Sequence, residues 1–144
     1  MIEIEPARES DFDSVSTLLA ASQLPLAGLR ECFGDALVAR DNGRIVASAA
    51  LEVYHGGVLL RSVVVDPTVR GRGLGIGLTR AALALARARG ASAAFLLTTT
   101  AGDFFPRFGF TRISRDDVPR DVRGSIEFTS ACPSTALVMR ADLK

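Results

Sequence analysis

Residues 70–75, Arg-Gly-Arg-Gly-Leu-Gly, carry the clearest chemistry in this chain. They follow an apolar run at 59–65 and open an alanine- and leucine-rich segment, so they read as strand end, tight glycine turn and helix start. The first amides of a helix have no intrahelical acceptor, and the helix dipole adds partial positive charge at the same place. Arg70 and Arg72 add full charges. The turn therefore suits a phosphate or pyrophosphate, seated on the backbone of Gly71, Gly73, Leu74, Gly75 and Ile76.

Two familiar phosphate-binding patterns fail here on spacing. A P-loop ends in Gly-Lys followed by Ser or Thr, and the sole lysine, Lys144, is the final residue. A Rossmann fingerprint needs Gly-x-Gly-x-x-Gly; counted from Gly71 its last position is Ile76, and from Gly73 it is Leu78. The turn also follows a late strand, whereas the Rossmann turn follows the first. What remains is Arg-x-x-Gly-x-Gly behind the strand end Val-Val-Val-Asp-Pro.

The elements that must position this turn are legible from periodicity. Ile2 and Ile4 alternate with Glu3 and Glu5, which predicts a short first strand. Ser10 and Asp13 suggest a capping box with Asp in place of Glu, opening a helix with Phe12, Val15, Leu18 and Leu19 inward. Pro25 and Gly28 interrupt it before a short helical piece through Glu31 and Phe33. Residues 36–39 and 45–54 read as strands joined through Asp41-Asn42-Gly43, a strong hairpin signal. His55-Gly56-Gly57 turns the chain into a strand at 58–65. After the glycine turn, Leu74, Leu78, Ala81, Ala82 and Leu85 share a helical face, and Gly90 ends that helix. A buried strand follows at 94–97, a short helix at 100–108, a strand at 110–113 and a last strand at 137–139. This order implies one domain over residues 1–144, a mixed α/β sheet covered by helices.

Bulk composition narrows the partners. The chain has 144 residues, enough for one core, and its net charge of +1 argues against a nucleic-acid-binding face. No apolar run approaches the ~20 residues of a membrane span. The acidic, alternating start is unlike a signal peptide, and the two distant cysteines make neither a disulfide framework nor a metal motif. The expectation is a cytoplasmic enzyme with no metal, no membrane and no nucleic-acid partner, with a homodimer as the oligomeric option.

With the strand end and the Arg-x-x-Gly-x-Gly turn, the sequence resembles the GNAT superfamily of N-acetyltransferases, which hold the pyrophosphate of acetyl-coenzyme A on such a turn. A second stretch supports this. Thr98-Thr-Thr-Ala-Gly-Asp-Phe104-Phe105-Pro-Arg107-Phe-Gly-Phe110 is similar to the family pattern Asn-x-x-Ala-x-x-Phe-Tyr-x-x-x-Gly-Phe. Thr98 stands for the Asn, and Phe105 for the Tyr that in many relatives protonates the departing thiolate. Phe105 has no proton to give. The thiol's ordinary pKa of ~8.5 still lets the thiolate leave and be protonated by water.

A narrower branch shares these departures. The chain is similar to the acetyltransferase domain of bacterial N-acetylglutamate synthases. It is closer still to the small arsenic-resistance-operon N-acetyltransferases, through Pro119, Ser125-Ile-Glu127-Phe128 and Cys132-Pro133-Ser134-Thr135. The resemblance implies a mostly antiparallel mixed sheet with a central splayed parallel pair and helices on both faces. It also implies acetyl-CoA as co-substrate and a small-molecule, amino-acid-like amine as acceptor. Backbone of Val63, Val64 and Val65 would grip the pantetheine arm. Phe104, Phe105 and Arg107 would flank the cofactor, with Ser62 and Thr98 toward the acceptor.

The remaining candidates each carry two readings. An ammonium must lose a proton before attacking a thioester, and a positioned base contributes ~100- to 10,000-fold. Glu52, in the apolar strand beside Ser48 and Tyr54, is either that base, directly or through water, or a sheet-edge carboxylate. His55, beside two glycines, reads as a solvated turn residue. Arg61, the one charge in its strand, either reads an acceptor carboxylate or closes a structural ion pair. Arg120 and Arg123 lie in the C-terminal arm, as a lid over the acceptor or as plain surface. Cys32 and Cys132 are either small buried hydrophobes or arsenical ligands. The expected enzyme is an acetyl-CoA-dependent N-acetyltransferase working by direct attack. Its rivals are a non-catalytic acyl-CoA sensor and an arsenical-binding protein.

Overall fold

The computed structural model describes residues 2–143. Seven strands form one sheet: β1 (Ile2–Pro6), β2 (Ala36–Asp41), β3 (Arg44–Tyr54), β4 (Gly57–Val65), β5 (Ala93–Thr98), β6 (Thr111–Ile113) and β7 (Leu137–Asp142). Their spatial order is β1-β2-β3-β4-β5-β7-β6. Every neighbouring pair is antiparallel except β4 and β5, which are parallel. Asn42 and Gly43, both with positive φ (51° and 86°), make the tight turn between β2 and β3, as the Asn-Gly signal requires.

Two local irregularities shape the centre. β4 and β5 pair only at Val58 with Ala94 and Leu59 with Phe95, then separate. From Leu60 onward the edge of β4 facing β5 has no strand partner. On its other side β4 carries a bulge: Ser48 faces Val64 while Ala50 faces Arg61, so Ser62 and Val63 together oppose Ala49. Ser62 sits at φ +59° in the left-handed region, and the Ser48 hydroxyl donates to its carbonyl at 2.9 Å. A non-glycine residue there costs on the order of 1 kcal/mol, so the surrounding bonds must hold it.

Helices cover both faces. α3 (Leu74–Ala88) packs on β2, β3 and β4, over the main core that holds Leu37, Ala47, Leu51 and Leu60. On the opposite face α1 (Phe12–Ala21) and α2 (Leu29–Cys32) cover Val38, Ala50 and Val64, with Val15, Leu18 and Leu19 buried. The short α4 (Arg120–Arg123) packs on β4 at its hairpin end, where Asp121 accepts the Gly56 amide at 2.9 Å. No helix among the described residues is long and apolar enough to cross a membrane.

Three expectations shift. The capping box forms two residues earlier than Ser10 and Asp13: the Arg8 amide donates to Asp11 Oδ2 at 2.8 Å, and a single 3-10 turn leads into α1. Asp11 takes this place because Arg40 fixes its carboxylate there. Residues 100–108 do not form a helix but one 3-10 turn, Phe105–Phe108, since Pro106 lacks an amide and Gly109 at φ +93° ends it. The C-terminal arm holds α4 and a single π turn, Glu127–Ala131, where periodicity gave no element.

Candidate active site

A cavity of about 720 Å³ opens where β4 and β5 part. At one end lies the glycine turn. Gly71 and Gly73 hold φ of +85° and +77°, which only glycine adopts without strain, and a Cβ at either would meet no atom within 4 Å. The first intrahelical bond of α3 runs from the Gly77 amide to the Gly73 carbonyl, so the amides of Leu74, Gly75 and Ile76 precede any internal partner. No acidic residue sits in that first turn, and no side chain caps it. An uncapped helix start beside open space is a fitting seat for a pyrophosphate. Arg70 lines the cavity while its Nε donates to the Val65 carbonyl at 3.2 Å; Arg72 is exposed and off the wall.

The middle of the cavity runs along the unpaired edge of β4, lined by Val63, Val64 and Val65. Phe104 and Phe105 form the facing wall, ring centroids 5.1 Å apart and edge-to-face. Arg107 stays outside, its guanidinium 4.8 Å from the Phe104 ring and its Nε bonded to the Phe104 carbonyl. Thr98 lines the cavity, but its Oγ1 accepts the Ala101 amide at 2.9 Å and so secures the loop after β5.

At the far end are Arg61, Ser62, Glu127, Cys132 and residues 22–25. Arg61 is fully engaged. Nη1 donates to Glu52 Oε2 at 2.8 Å, Nη2 to the Pro25 carbonyl at 3.3 Å and Nε to Ser62 Oγ at 3.2 Å. Glu127 Oε2 lies 3.6 Å from Nη2, within ion-pair range. Burial opposes the Arg61 charge, but its bond to Glu52 and the fields of both glutamates raise its pKa above the ordinary value.

Glu52 and Arg61, each a lone charge in an apolar strand, are therefore each other's partner. Both Glu52 oxygens are occupied, Oε1 by the Tyr54 hydroxyl at 2.5 Å, and Glu52 is not among the residues lining the cavity. Gly28 seals the pair: a Cβ there would approach Arg61 Nη1 to 2.9 Å. Arg120 and Arg123, expected above the acceptor, lie in α4 and do not line the cavity. Pro119 and Asp121 hold α4 on Gly56, at the opposite end of β4 from the glycine turn. His55 is exposed in that same hairpin turn.

The residue that composition and spacing did not single out is Glu127. Its side chain is only 5% exposed yet lines the cavity. Burial pushes its pKa above the ordinary carboxylate value, with Arg61 pulling the other way. The π turn brings Cys132 back so that its amide donates to the Glu127 carbonyl at 3.1 Å and its thiol to Oε1 at 3.6 Å. Burial first, then Glu127, pushes the Cys132 thiol up to about 12; burial pushes Cys32 up to about 11. Among the described residues no group of three or more His, Cys, Asp and Glu could hold a metal ion.

The family model described as acetyltransferase (GNAT) domain matches residues 33–112, more than half of the chain. The chain belongs to the GNAT acetyltransferase family. Its fold is that of Rv2747 from Mycobacterium tuberculosis in complex with CoA, at 26% identity and a TM-score of 0.84 over 99% of both chains. A GNAT family acetyltransferase from Brucella melitensis in complex with acetyl-CoA is 26% identical, with a TM-score of 0.66 over 77% of this chain and 83% of that one. The N-acetylglutamate synthase from Neisseria gonorrhoeae complexed with coenzyme A and N-acetyl-glutamate shares the fold at 21% identity and a TM-score of 0.85. All of this chain is covered in that match but only 35% of the synthase, so this GNAT domain spans about a third of that protein. A search of curated proteins returns no match. As a GNAT acetyltransferase the chain is an acetyl-CoA-dependent N-acetyltransferase, and the mixed sheet with its parallel β4–β5 pair is the fold expected of one.

Proposed function

We propose that this GNAT domain transfers the acetyl group of acetyl-CoA directly to the amine of a small amino-acid-like acceptor. The observation that carries the reading is the pair Arg61 and Glu127, opposite charges 3.6 Å apart at the end of the cavity remote from the phosphate seat. An α-amino acid brings the same two charges in the opposite sense. Its carboxylate would exchange onto the Arg61 fork and its ammonium onto Glu127. The structural neighbour complexed with N-acetyl-glutamate supports an amino-acid product in this fold. Similarity to the arsenic-operon branch extends the class to phosphinate or arsinate analogues of amino acids.

In this reading, the amides of Leu74, Gly75 and Ile76, with Arg70 beside them, would hold the pyrophosphate. The open edge of β4 at Val63, Val64 and Val65 would hold the pantetheine arm and polarise the acetyl carbonyl. Acetyl-CoA supplies the activated thioester. Direct attack is favoured over a covalent acetyl-cysteine. Thiols at about 11 and about 12 hold almost no thiolate at neutral pH, and the thiolate is the nucleophile. Phe105 leaves the departing sulfur to be protonated by water.

A screen of amino acids and their phosphinate analogues, scored by release of free thiol, tests the reading. The expected result is turnover that falls about tenfold or more on the decarboxylated amine, since one charge-assisted contact contributes ~1.5 to 3 kcal/mol. Equal rates on both would show that no carboxylate is read. Gly73→Val tests the seat, because a β-branched residue at φ +77° must move the turn. Calorimetry should show acetyl-CoA binding lost in a protein that still folds; unchanged affinity would refute the seat.

A further inference from the structure

We propose that Glu127, rather than Glu52, is the residue that takes the proton from the acceptor amine, with Arg61 and the Cys132 thiol holding its carboxylate at the cavity wall. The inference rests on the amine-acceptor reading above and deepens it. Among the described residues the charged side chains lining the cavity are Arg61, Arg70 and Glu127, so Glu127 is the one carboxylate with access to a bound acceptor. Glu52 has both oxygens occupied by strong donors, at 2.8 Å from Arg61 and 2.5 Å from Tyr54.

Glu127 is held differently. Oε1 takes only a thiol, a weak donor, at 3.6 Å. Oε2 accepts no hydrogen bond among the described residues and meets Arg61 only at ion-pair range. A buried carboxylate bound this loosely is short of donors, and an ammonium offers three. The groups that face it are Arg61 from β4, Glu52 from β3, Cys32 from α2 and Cys132 from the end of its own turn. One cation therefore sits against two carboxylates, and the end of the cavity carries an excess of negative charge. That field attracts an ammonium. The upward displacement of the Glu127 pKa by burial brings it nearer the pH at which a carboxylate works as a base.

The step balances as follows. The acceptor ammonium passes one proton to Glu127 Oε2. The freed nitrogen lone pair forms the C–N bond at the thioester carbonyl carbon, the C–S bond breaks, and sulfur leaves with its electron pair. The second proton lost from nitrogen reaches sulfur through water. Glu127 then returns its proton to solvent, so one proton is released per acetyl group transferred.

The test compares wild type, Glu127→Gln and Glu52→Gln on the best acceptor from the thiol-release screen, across pH, with acetyl-CoA affinity measured by calorimetry. Glu127→Gln should lower kcat/KM for the acceptor by about 100-fold or more at neutral pH. The deficit should shrink as rising pH deprotonates the acceptor in solution, and acetyl-CoA affinity should hold. Glu52→Gln should keep the wild-type pH limb, since it acts through Arg61. If Glu127→Gln fails to fold, Glu127→Asp keeps the charge on a shorter stem and should lower the rate with the melting temperature preserved. A folded Glu127 variant with the wild-type pH limb and rate would overturn the inference while the acceptor reading stands. Failure of every amine in the screen to stimulate thiol release would overturn both, before any variant is compared.

Discussion

Two arginines in this domain each sit between two carboxylates, and only one of the two clusters faces the cavity. Arg40 on β2 donates to Glu5 on β1 at 2.7 Å and grips Asp11 with both Nη atoms, at 3.0 and 2.8 Å. Asp11 also accepts the Arg8 amide at 2.8 Å. The Arg40 bonds hold the Asp11 carboxyl below the usual carboxylate range, against the cost of burial. Arg61 has the same ingredients but divides them unequally, with Glu52 held at 2.8 Å and Glu127 at 3.6 Å. Burial then wins at Glu127, and its pKa moves up. The contrast shows how one motif serves two ends. A carboxylate given all its donors fastens the fold, and one left short of donors on a cavity wall is available to a substrate.

The largest effect should come from removing the cation at the cavity. Arg61→Ala leaves two buried carboxylates without their counter-charge, and breaking a buried pair costs about 3 to 5 kcal/mol. Chemical denaturation should show that loss together with loss of acetyl transfer. Next, Asp11→Asn weakens the charge-assisted bonds to Arg40 and should cost about 1.5 to 3 kcal/mol with kcat/KM unchanged. Acetyl transfer lost at an unaltered melting temperature would erase the distinction between the clusters.

The two clusters should also respond to pH with opposite sign. Asp11 has a folded pKa below the unfolded one, so its contribution is present above ~3.9 and disappears as pH falls through the folded value. Melting curves of wild type and Asp11→Asn should converge in acid. Glu127 has a folded pKa above the unfolded one, so charging it costs stability as pH rises from ~4.3 through the folded value. The melting temperature of Glu127→Gln should therefore gain on wild type over that rise, and parallel curves would remove the contrast.

The smallest expected effect is at Cys132→Ser. A hydroxyl bonds the ionised Glu127 more strongly than a thiol and lowers its pKa, so the acid limb of the rate profile should move to lower pH with the maximal rate kept. A lost maximal rate would instead give the thiol a part in the chemistry.

What the sequence reveals and what it hides follow the distance over which each feature is built. The hairpin at Asn42-Gly43 and the turn at 70–76 are made by neighbouring residues, and both are legible from residue type alone. Glu52 and Arg61 stand out as lone charges in apolar runs. Their pairing was within reach, because the strands are joined by a tight turn and Glu52 is the diagonal neighbour of Arg61 in the register. Glu127 stands in the Ser125-Ile-Glu127-Phe128 resemblance, but nothing in residue type or spacing there gives it a partner or a role. Its partner lies 66 positions earlier in the chain, and the single π turn that aims it has no period to detect. Arg120 and Arg123 share that irregular arm, and a count of charges there does not say that Pro119 and Asp121 dock it on Gly56.

The bulge at Ser62 acts as a phase shift in the central strand. Val58 and Leu60 pack with the α3 core, and so do Val63 and Val65, three and five positions after Leu60 where strict alternation would give two and four. Val64 accordingly packs with the α1 and α2 core on the opposite face. One extra residue thus re-aims everything downstream of Arg61. Flattening the bulge with Ser62 still in the chain would carry Val63, Val64 and Val65 to the wrong faces. Deleting Ser62 would instead bring Val63 and Val65 to two and four positions after Leu60 and leave all three on the faces they now hold. This domain should therefore tolerate insertions at the exposed Asn42-Gly43 turn far better than a further residue inserted beside Ser62, whatever residue is placed there.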